Sequence, residues 1–120
     1  MEALRLVVYQ NDPNLARNLA GTLSKHFNSV DLAGGYEEVR PAVVRSRAEV
    51  LVLDVESSQT GEIARLHEEF PQLCIVATHR LADDKLWTEA LDKGAADVCE
   101  PRNEDVVRAV QRGRGSNTVA

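Results

Sequence analysis

A single carboxylate at the end of an apolar run is the feature of this sequence that most directly suggests chemistry. Four consecutive large apolar residues, 50–53, precede Asp54. An unbroken run of Val and Leu is typical of a parallel strand that is covered on both faces. In sheets of this kind, ligands bind just beyond the carboxyl ends of the strands. Asp54 is therefore the first candidate for a functional residue.

The segments around this strand alternate between strand and helix patterns. Short apolar segments typical of strands cover residues 4–9, 29–32, 50–53, 73–77 and 97–99. Between them, apolar residues recur at the three- and four-residue spacing of amphipathic helices. Alternation of this kind predicts a doubly wound α/β domain, in which a five-stranded parallel sheet carries helices on both faces.

Local signals predict where several helices begin and end. Asp12 is a suitable N-cap with Pro13 at the first helical position, and Gly94 is suited to a left-handed helix stop. Pro41 lies where the interior of the second helix would need a backbone N–H, at a cost of roughly 3 kcal/mol. We therefore expect the second helix to start late, near Val39.

Length and composition exclude several classes of protein. The chain has 120 residues, 43 % of them hydrophobic and 28 % charged, as is usual for one globular domain. No apolar stretch approaches the ~20 residues that span a bilayer, and no signal peptide is evident, so we expect a cytoplasmic protein. A net charge of −5 with scattered basic residues argues against direct binding of nucleic acid.

The two cysteines and the C-terminal segment have simpler interpretations. Cys74 and Cys99 lie within apolar runs and lack the spacing of a zinc site or a disulfide framework, so we expect core thiols. Residues 113–120 are polar and rich in Gly, which is typical of a flexible tail or the start of a linker. The predicted domain covers residues 1–112.

The motifs resemble the receiver domain of two-component response regulators. Residues 10–13 after strand one, Asp54, Thr78 at the end of strand four, and Gly94 followed by Pro101 carry this resemblance, which covers residues 4 to about 112. The resemblance implies a flavodoxin-like fold with strand order 2-1-3-4-5. It also implies that the aspartate accepts a phosphoryl group from a histidine kinase.

The same resemblance implies a set of groups around Asp54. In the family, Mg²⁺ is held by an acidic pair after strand one, by the aspartate and by a backbone carbonyl two residues on, here that of Glu56. A hydroxyl at the position of Thr78 and a lysine before the strand-five proline hold the phosphoryl oxygens.

The sequence departs from this pattern at the charged positions. The acidic pair falls on Gln10 and Asn11, and the lysine falls on Glu100. Mg²⁺ sites usually contain one or two carboxylates, and phosphoryl transfer depends on neutralising charge. Replacing a lysine by a glutamate turns an attraction of about 4 kcal/mol at 4 Å and dielectric 20 into a similar repulsion. We therefore expect impaired phosphorylation of Asp54, with Mg²⁺ bound weakly or not at all.

Other residues are weaker candidates at the same edge of the sheet. Asp12 would approach the metal position if strand one shifted by one residue, although an N-cap role suits it better. Arg80, a candidate phosphoryl contact, and Arg102 could replace the missing cation, although exposed arginines are common. His79 follows Thr78 directly and could line the rim of the site.

A pair of apolar residues on the fourth helix is a candidate for a partner-binding face. Trp87 and Leu91 are four residues apart, so they lie on the same side of a helix. Such a stripe is more often part of the core, and the two interpretations stay open.

Three classes of function are compatible with these observations. We favour an atypical receiver that is not an enzyme and binds protein partners, such as a histidine kinase, an output domain or a second copy of itself. The second is a working phosphoacceptor in which Arg80, Glu56 or Asp12 compensates. The third is a small flavodoxin-like enzyme or nucleotide binder. It is disfavoured because residues 10–16 contain no Gly, Ser or Thr, and no GxxxxGK[ST] or GxGxxG motif occurs.

Overall fold

The fold alternates strand and helix along the chain. The computed structural model describes the backbone of residues 2–55, 60–80 and 84–118 and the side chains of residues 3–55, 60–80 and 84–113. The strands are β1 (Glu2–Tyr9), β2 (Phe27–Leu32), β3 (Val50–Asp54), β4 (Cys74–Thr78) and β5 (Asp97–Cys99). The helices are α1 (Pro13–Leu23), α2 (Val39–Ser46), α3 (Thr60–Glu69), α4 (Asp84–Asp92) and α5 (Asn103–Thr118). Of the described helices, none combines the length and apolar character needed to cross a membrane.

The strands form one parallel sheet in the order β2-β1-β3-β4-β5. This arrangement confirms the predicted fold class and strand order. Every residue of β3 and β4 is buried, because neighbouring strands flank both edges and helices cover both faces. The unbroken apolar run before Asp54 is explained by this double coverage.

Two apolar clusters lie on the two faces of the sheet. Leu51 and Leu53 of β3 pack with α2, α3 and α4 on one face. Val50 and Val52 pack with α1 and α5 on the other. Successive strand residues point to opposite faces, so both sets must be apolar. Burial of Cys74 and Cys99 within the second cluster confirms that they are core thiols.

The predicted helix boundaries are confirmed at three points. The Asp12 carboxylate caps α1 by accepting hydrogen bonds from the backbone N–H groups of Asn14 (2.9 Å) and Leu15 (3.5 Å). Helix α2 begins at Val39 after a short 3₁₀ turn, Tyr36–Glu38. Pro41 therefore lies in the first turn, where N–H groups have no intrahelical partner. Gly94 has φ +119° just after α4.

Helix α5 continues past residue 112, where a flexible tail was expected. Gly113 is buried, and a Cβ built on it would lie 2.6 Å from the Sγ atom of Cys74. A glycine therefore permits close approach of α5 to β4, although glycine has low helix propensity. The helix includes residues of the expected tail, and the position of the domain boundary stays a prediction.

Candidate functional site

The register of three neighbouring strands brings Gln10, Asp54 and Thr78 into one row. Val8 of β1 pairs with Val52 of β3, which pairs with Val76 of β4. Two residues further along the chain from these three are Gln10, Asp54 and Thr78. Their side chains lie on the same face of the sheet as those of the three valines, because strand side chains alternate between faces. Asp54 and Thr78 are themselves register partners. The row is almost closed to solvent, with 5 % of Gln10, 4 % of Asp54 and none of Thr78 exposed.

Gln10 reaches across this row to Thr78. Its Nε2 atom donates a 2.9 Å hydrogen bond to the Oγ1 atom of Thr78. Strand β3 lies between β1 and β4, and strands are spaced about 4.8 Å apart, so the two backbones are separated by about 10 Å. The Gln10 side chain must therefore extend across the width of β3. An ionised carboxylate at this position has no hydrogen to donate, whereas a carboxamide has two.

The Asp54 carboxylate is held from the β1–α1 connection. Its Oδ2 atom accepts a 2.9 Å hydrogen bond from the backbone N–H of Asn11. The Asn11 side chain itself is exposed. Asn11 therefore contacts Asp54 through its backbone N–H, and its side-chain amide takes no part in this hydrogen bond.

The charged candidates around the row are engaged with one another. Glu100 follows Cys99, the register partner of Thr78. The Oε2 atom of Glu100 accepts hydrogen bonds from the Nη2 (2.7 Å) and Nε (3.2 Å) atoms of Arg102. Arg80 places its Nη2 atom 3.6 Å from the Oδ2 atom of Asp12. Both arginines that were candidates to replace the missing cation thus have carboxylate neighbours of their own.

These groups do not fit an ordinary Mg²⁺ site. Asp54 is the one carboxylate in the row, and the Gln10 amide is directed at Thr78. Asp12 caps α1 and faces Arg80. Glu56, whose carbonyl was a candidate ligand, lies outside the described residues. Within the part of the chain that the structure describes, no three His, Cys, Asp or Glu side chains are placed to hold a metal.

Two tyrosines near the site were missed by the sequence analysis. Tyr9 precedes Gln10, and its ring meets that of Tyr36 edge to face at a centroid distance of 5.2 Å. Burial is the main cause that raises the pKa of both phenols, and the negative charge of Asp54 raises both further. The Tyr36 hydroxyl is buried without a hydrogen-bond partner among the described residues. The sequence signal that could have identified Tyr9 is the position of an aromatic residue at the end of an apolar strand.

The remaining candidates lie around the rim of the site and on α4. His79 is buried, and its backbone N–H donates to the carbonyl of Cys99 at 3.0 Å. Trp87 is partly buried against the cluster shared by α2, α3 and α4, whereas Leu91 is 49 % exposed. The proposed stripe is therefore divided, because Trp87 contributes to the core and Leu91 faces solvent.

Comparison with known proteins identifies the fold. No family model matches the sequence, and no curated protein gives a significant sequence match. Solved structures of response regulators are similar to this chain throughout.

The signal receiver domain of NarL from Mycobacterium tuberculosis aligns with a TM-score of 0.82 and 19 % identity, covering 96 % of this chain and 99 % of that one. HP1043, described as an orphan response regulator of H. pylori, gives a TM-score of 0.80 and 13 % identity over 95 % and 100 % of the two chains. NtrX from Brucella abortus aligns with a TM-score of 0.86 and 16 % identity, covering 98 % of this chain and 28 % of NtrX. The chain therefore has the receiver fold.

Proposed function

We propose that this chain is an atypical receiver domain that transmits signals by binding protein partners, and that Mg²⁺-dependent phosphorylation of Asp54 is impaired. The observation that carries the proposal is the composition of the buried row. It retains Asp54 and Thr78 as register partners, yet places the uncharged Gln10 beside them. Fold alone does not determine function, whereas the side chains of this row determine which reaction they can assist.

The charge balance around Asp54 supports impaired phosphorylation. A phosphoryl group brings negative charge, which such reactions neutralise with a metal or with cations. Here Asp54 is the one carboxylate in the row, and the uncharged amides of Gln10 and Asn11 stand where the resemblance implies an acidic pair. Glu100 places a further carboxylate next to the end of β5, and Arg102 offsets part of its charge. The reaction would therefore lack most of its usual electrostatic assistance.

A binding role is compatible with the surface and with the structural neighbours. The neighbours are response regulators, and the NtrX chain is much longer than the part that aligns with this chain. We propose a histidine kinase, an output domain or a second copy of this chain as partner. Leu91 offers an exposed apolar contact on α4. The net charge of −5 disfavours direct contact with nucleic acid, and we expect the protein to act in the cytoplasm.

One observation favours the alternative of a working phosphoacceptor. Asp54 and Thr78 are adjacent at the carboxyl edge of the sheet, where that reaction would need them. In this alternative, Arg80 or Asp12 would leave their mutual ion pair and compensate for the missing groups.

Beryllofluoride, a phosphoryl mimic, distinguishes the two functions. Trp87 is the single tryptophan of the chain, so its fluorescence reports on α4 without interference. We expect no saturable Mg²⁺-dependent change in the unmodified protein. The triple variant Gln10→Asp, Asn11→Asp, Glu100→Lys provides a control that restores the missing charges. A saturable response of the unmodified protein that requires Mg²⁺ and disappears in Asp54→Asn would contradict the proposal.

A further inference from the structure

The hydrogen bond from Gln10 to Thr78 joins strands that are not neighbours in the sheet. Backbone hydrogen bonds connect β1 to β3 and β3 to β4. Gln10 adds a side-chain connection from β1 directly to β4, at the edge where the strands give way to loops. This hydrogen bond thus connects the two outer residues of the row, with Asp54 between them.

Burial makes this contact difficult to exchange for water. Thr78 is completely buried and Gln10 is nearly so. A buried polar group that loses its partner carries a larger penalty than an exposed one, because no solvent replaces the lost hydrogen bond. Conformations in which Gln10 and Thr78 separate are therefore disfavoured.

We infer that Gln10 is a built-in lock that holds Thr78 and the carboxyl edge of β4 in one conformation without any external ligand. This inference deepens the proposed function, because a locked site presents the same surface to a protein partner whatever the supply of phosphoryl donors. A ligand shifts a conformational equilibrium only by its differential affinity for the two states. A ligand that contacts the Thr78 hydroxyl must therefore compete with the Gln10 carboxamide.

Nuclear magnetic resonance of the Gln10 side-chain amide tests the lock directly. In the unmodified protein, we expect its N–H protons to exchange with solvent at least about tenfold more slowly than those of the exposed Asn11 amide. Thr78→Val preserves the shape of the side chain and removes the acceptor. This variant should bring Gln10 exchange close to the Asn11 rate. Fast exchange of the Gln10 amide in the unmodified protein would overturn the inference.

A double-mutant cycle measures the coupling by urea unfolding. Gln10→Met retains side-chain length without a donor, and it should lower the folding equilibrium constant roughly five- to tenfold, as should Thr78→Val. The double variant should lower the folding equilibrium constant by clearly less than the product of the two single effects, because both changes remove the same hydrogen bond. Asn11→Ala is the matched control and should have little effect.

Independent effects of Gln10→Met and Thr78→Val would overturn the lock. Rapid phosphoryl uptake on Asp54 by the unmodified protein would instead contradict the proposed function, so the two failures are distinguishable.

Discussion

Asp54 and Thr78 are register partners at the carboxyl ends of β3 and β4, and both side chains are buried. The pair that would receive and contact a phosphoryl group is therefore present in the expected geometry. The neighbouring groups differ from the acidic pair and the lysine that the family resemblance implies, since Gln10 is uncharged and Glu100 is negative.

Binding of Mg²⁺ should be weak. Calorimetric titration of the unmodified protein is expected to show no saturable binding in the low millimolar range, because Gln10 and Asn11 offer uncharged amides where the resemblance implies carboxylates. Gln10→Asp combined with Asn11→Asp should create measurable binding, and the combination serves as the control. A tight site in the unmodified protein that is lost in Asp54→Asn would revive the phosphoacceptor function.

Restoring the missing charges should act cooperatively on phosphorylation. Glu100→Lys alone should raise labelling by acetyl phosphate only modestly, and the pair Gln10→Asp with Asn11→Asp should do little without it. All three together should exceed the product of the separate effects, because groups sharing one charge centre are not additive. Intact-protein mass spectrometry at fixed Mg²⁺ measures the labelling.

Glu104→Lys makes the same charge change at an exposed residue of α5 and is the control for net charge. If it replaced Glu100→Lys without loss of the cooperative effect, the action of Glu100 would be general and not specific to the site.

The packing of α5 against β4 predicts opposite effects at two glycines. Gly113→Ala should destabilise the fold by about 1–3 kcal/mol, because the added Cβ meets Cys74 at 2.6 Å. Gly21→Ala meets nothing within 4 Å in α1 and should stabilise by roughly 0.5–1 kcal/mol. Urea unfolding measures both. Equal stability of the two variants would indicate that the packed domain ends before residue 113.

Stability should fall at alkaline pH. Burial raises the pKa of Cys74 to about 11 and that of Cys99 to about 12, from an ordinary value of 9.0. The folded protein thus retains protons that the unfolded chain releases above about pH 9. The free energy of unfolding should therefore be fully maintained below pH 9 and decline as the pH rises toward 11 or 12, with each unit of pKa difference contributing about 1.4 kcal/mol.

The raised pKa values of Tyr9 and Tyr36 act in the same direction. Urea unfolding across this range checks the prediction, with Cys99→Ala expected to show a shallower decline. A rise in stability above pH 9 would be incompatible with buried, protonated thiols.

The fold was predictable because its signals are local or periodic. The apolar run before Asp54 indicated a covered parallel strand, and Asp12, Pro41 and Gly94 marked helix boundaries through their own backbone chemistry. The continuation of α5 through Gly113 was not predicted, since a glycine required for close packing has the same sequence signal as one in a flexible tail.

The arrangement of the site was only partly predictable. The positions of Asp54 and Thr78 follow from where their strands end. The extension of Gln10 across β3 depends on strand register and on its side-chain conformation, which no local pattern encodes. The same applies to the ion pair of Glu100 with Arg102, which moderates a charge that the sequence presents as unopposed.

The most direct test of the account is whether the unmodified protein accepts a phosphoryl group on Asp54. Intact-protein mass spectrometry after incubation with acetyl phosphate and Mg²⁺ measures this, with Asp54→Asn as the matched control. We predict that the unmodified protein is labelled only slowly over a long incubation, far less than the triple variant Gln10→Asp, Asn11→Asp, Glu100→Lys, and that Asp54→Asn is not labelled. Rapid uptake of one phosphoryl group by the unmodified protein, absent from Asp54→Asn, would contradict the account and identify a working receiver with an unusual pocket.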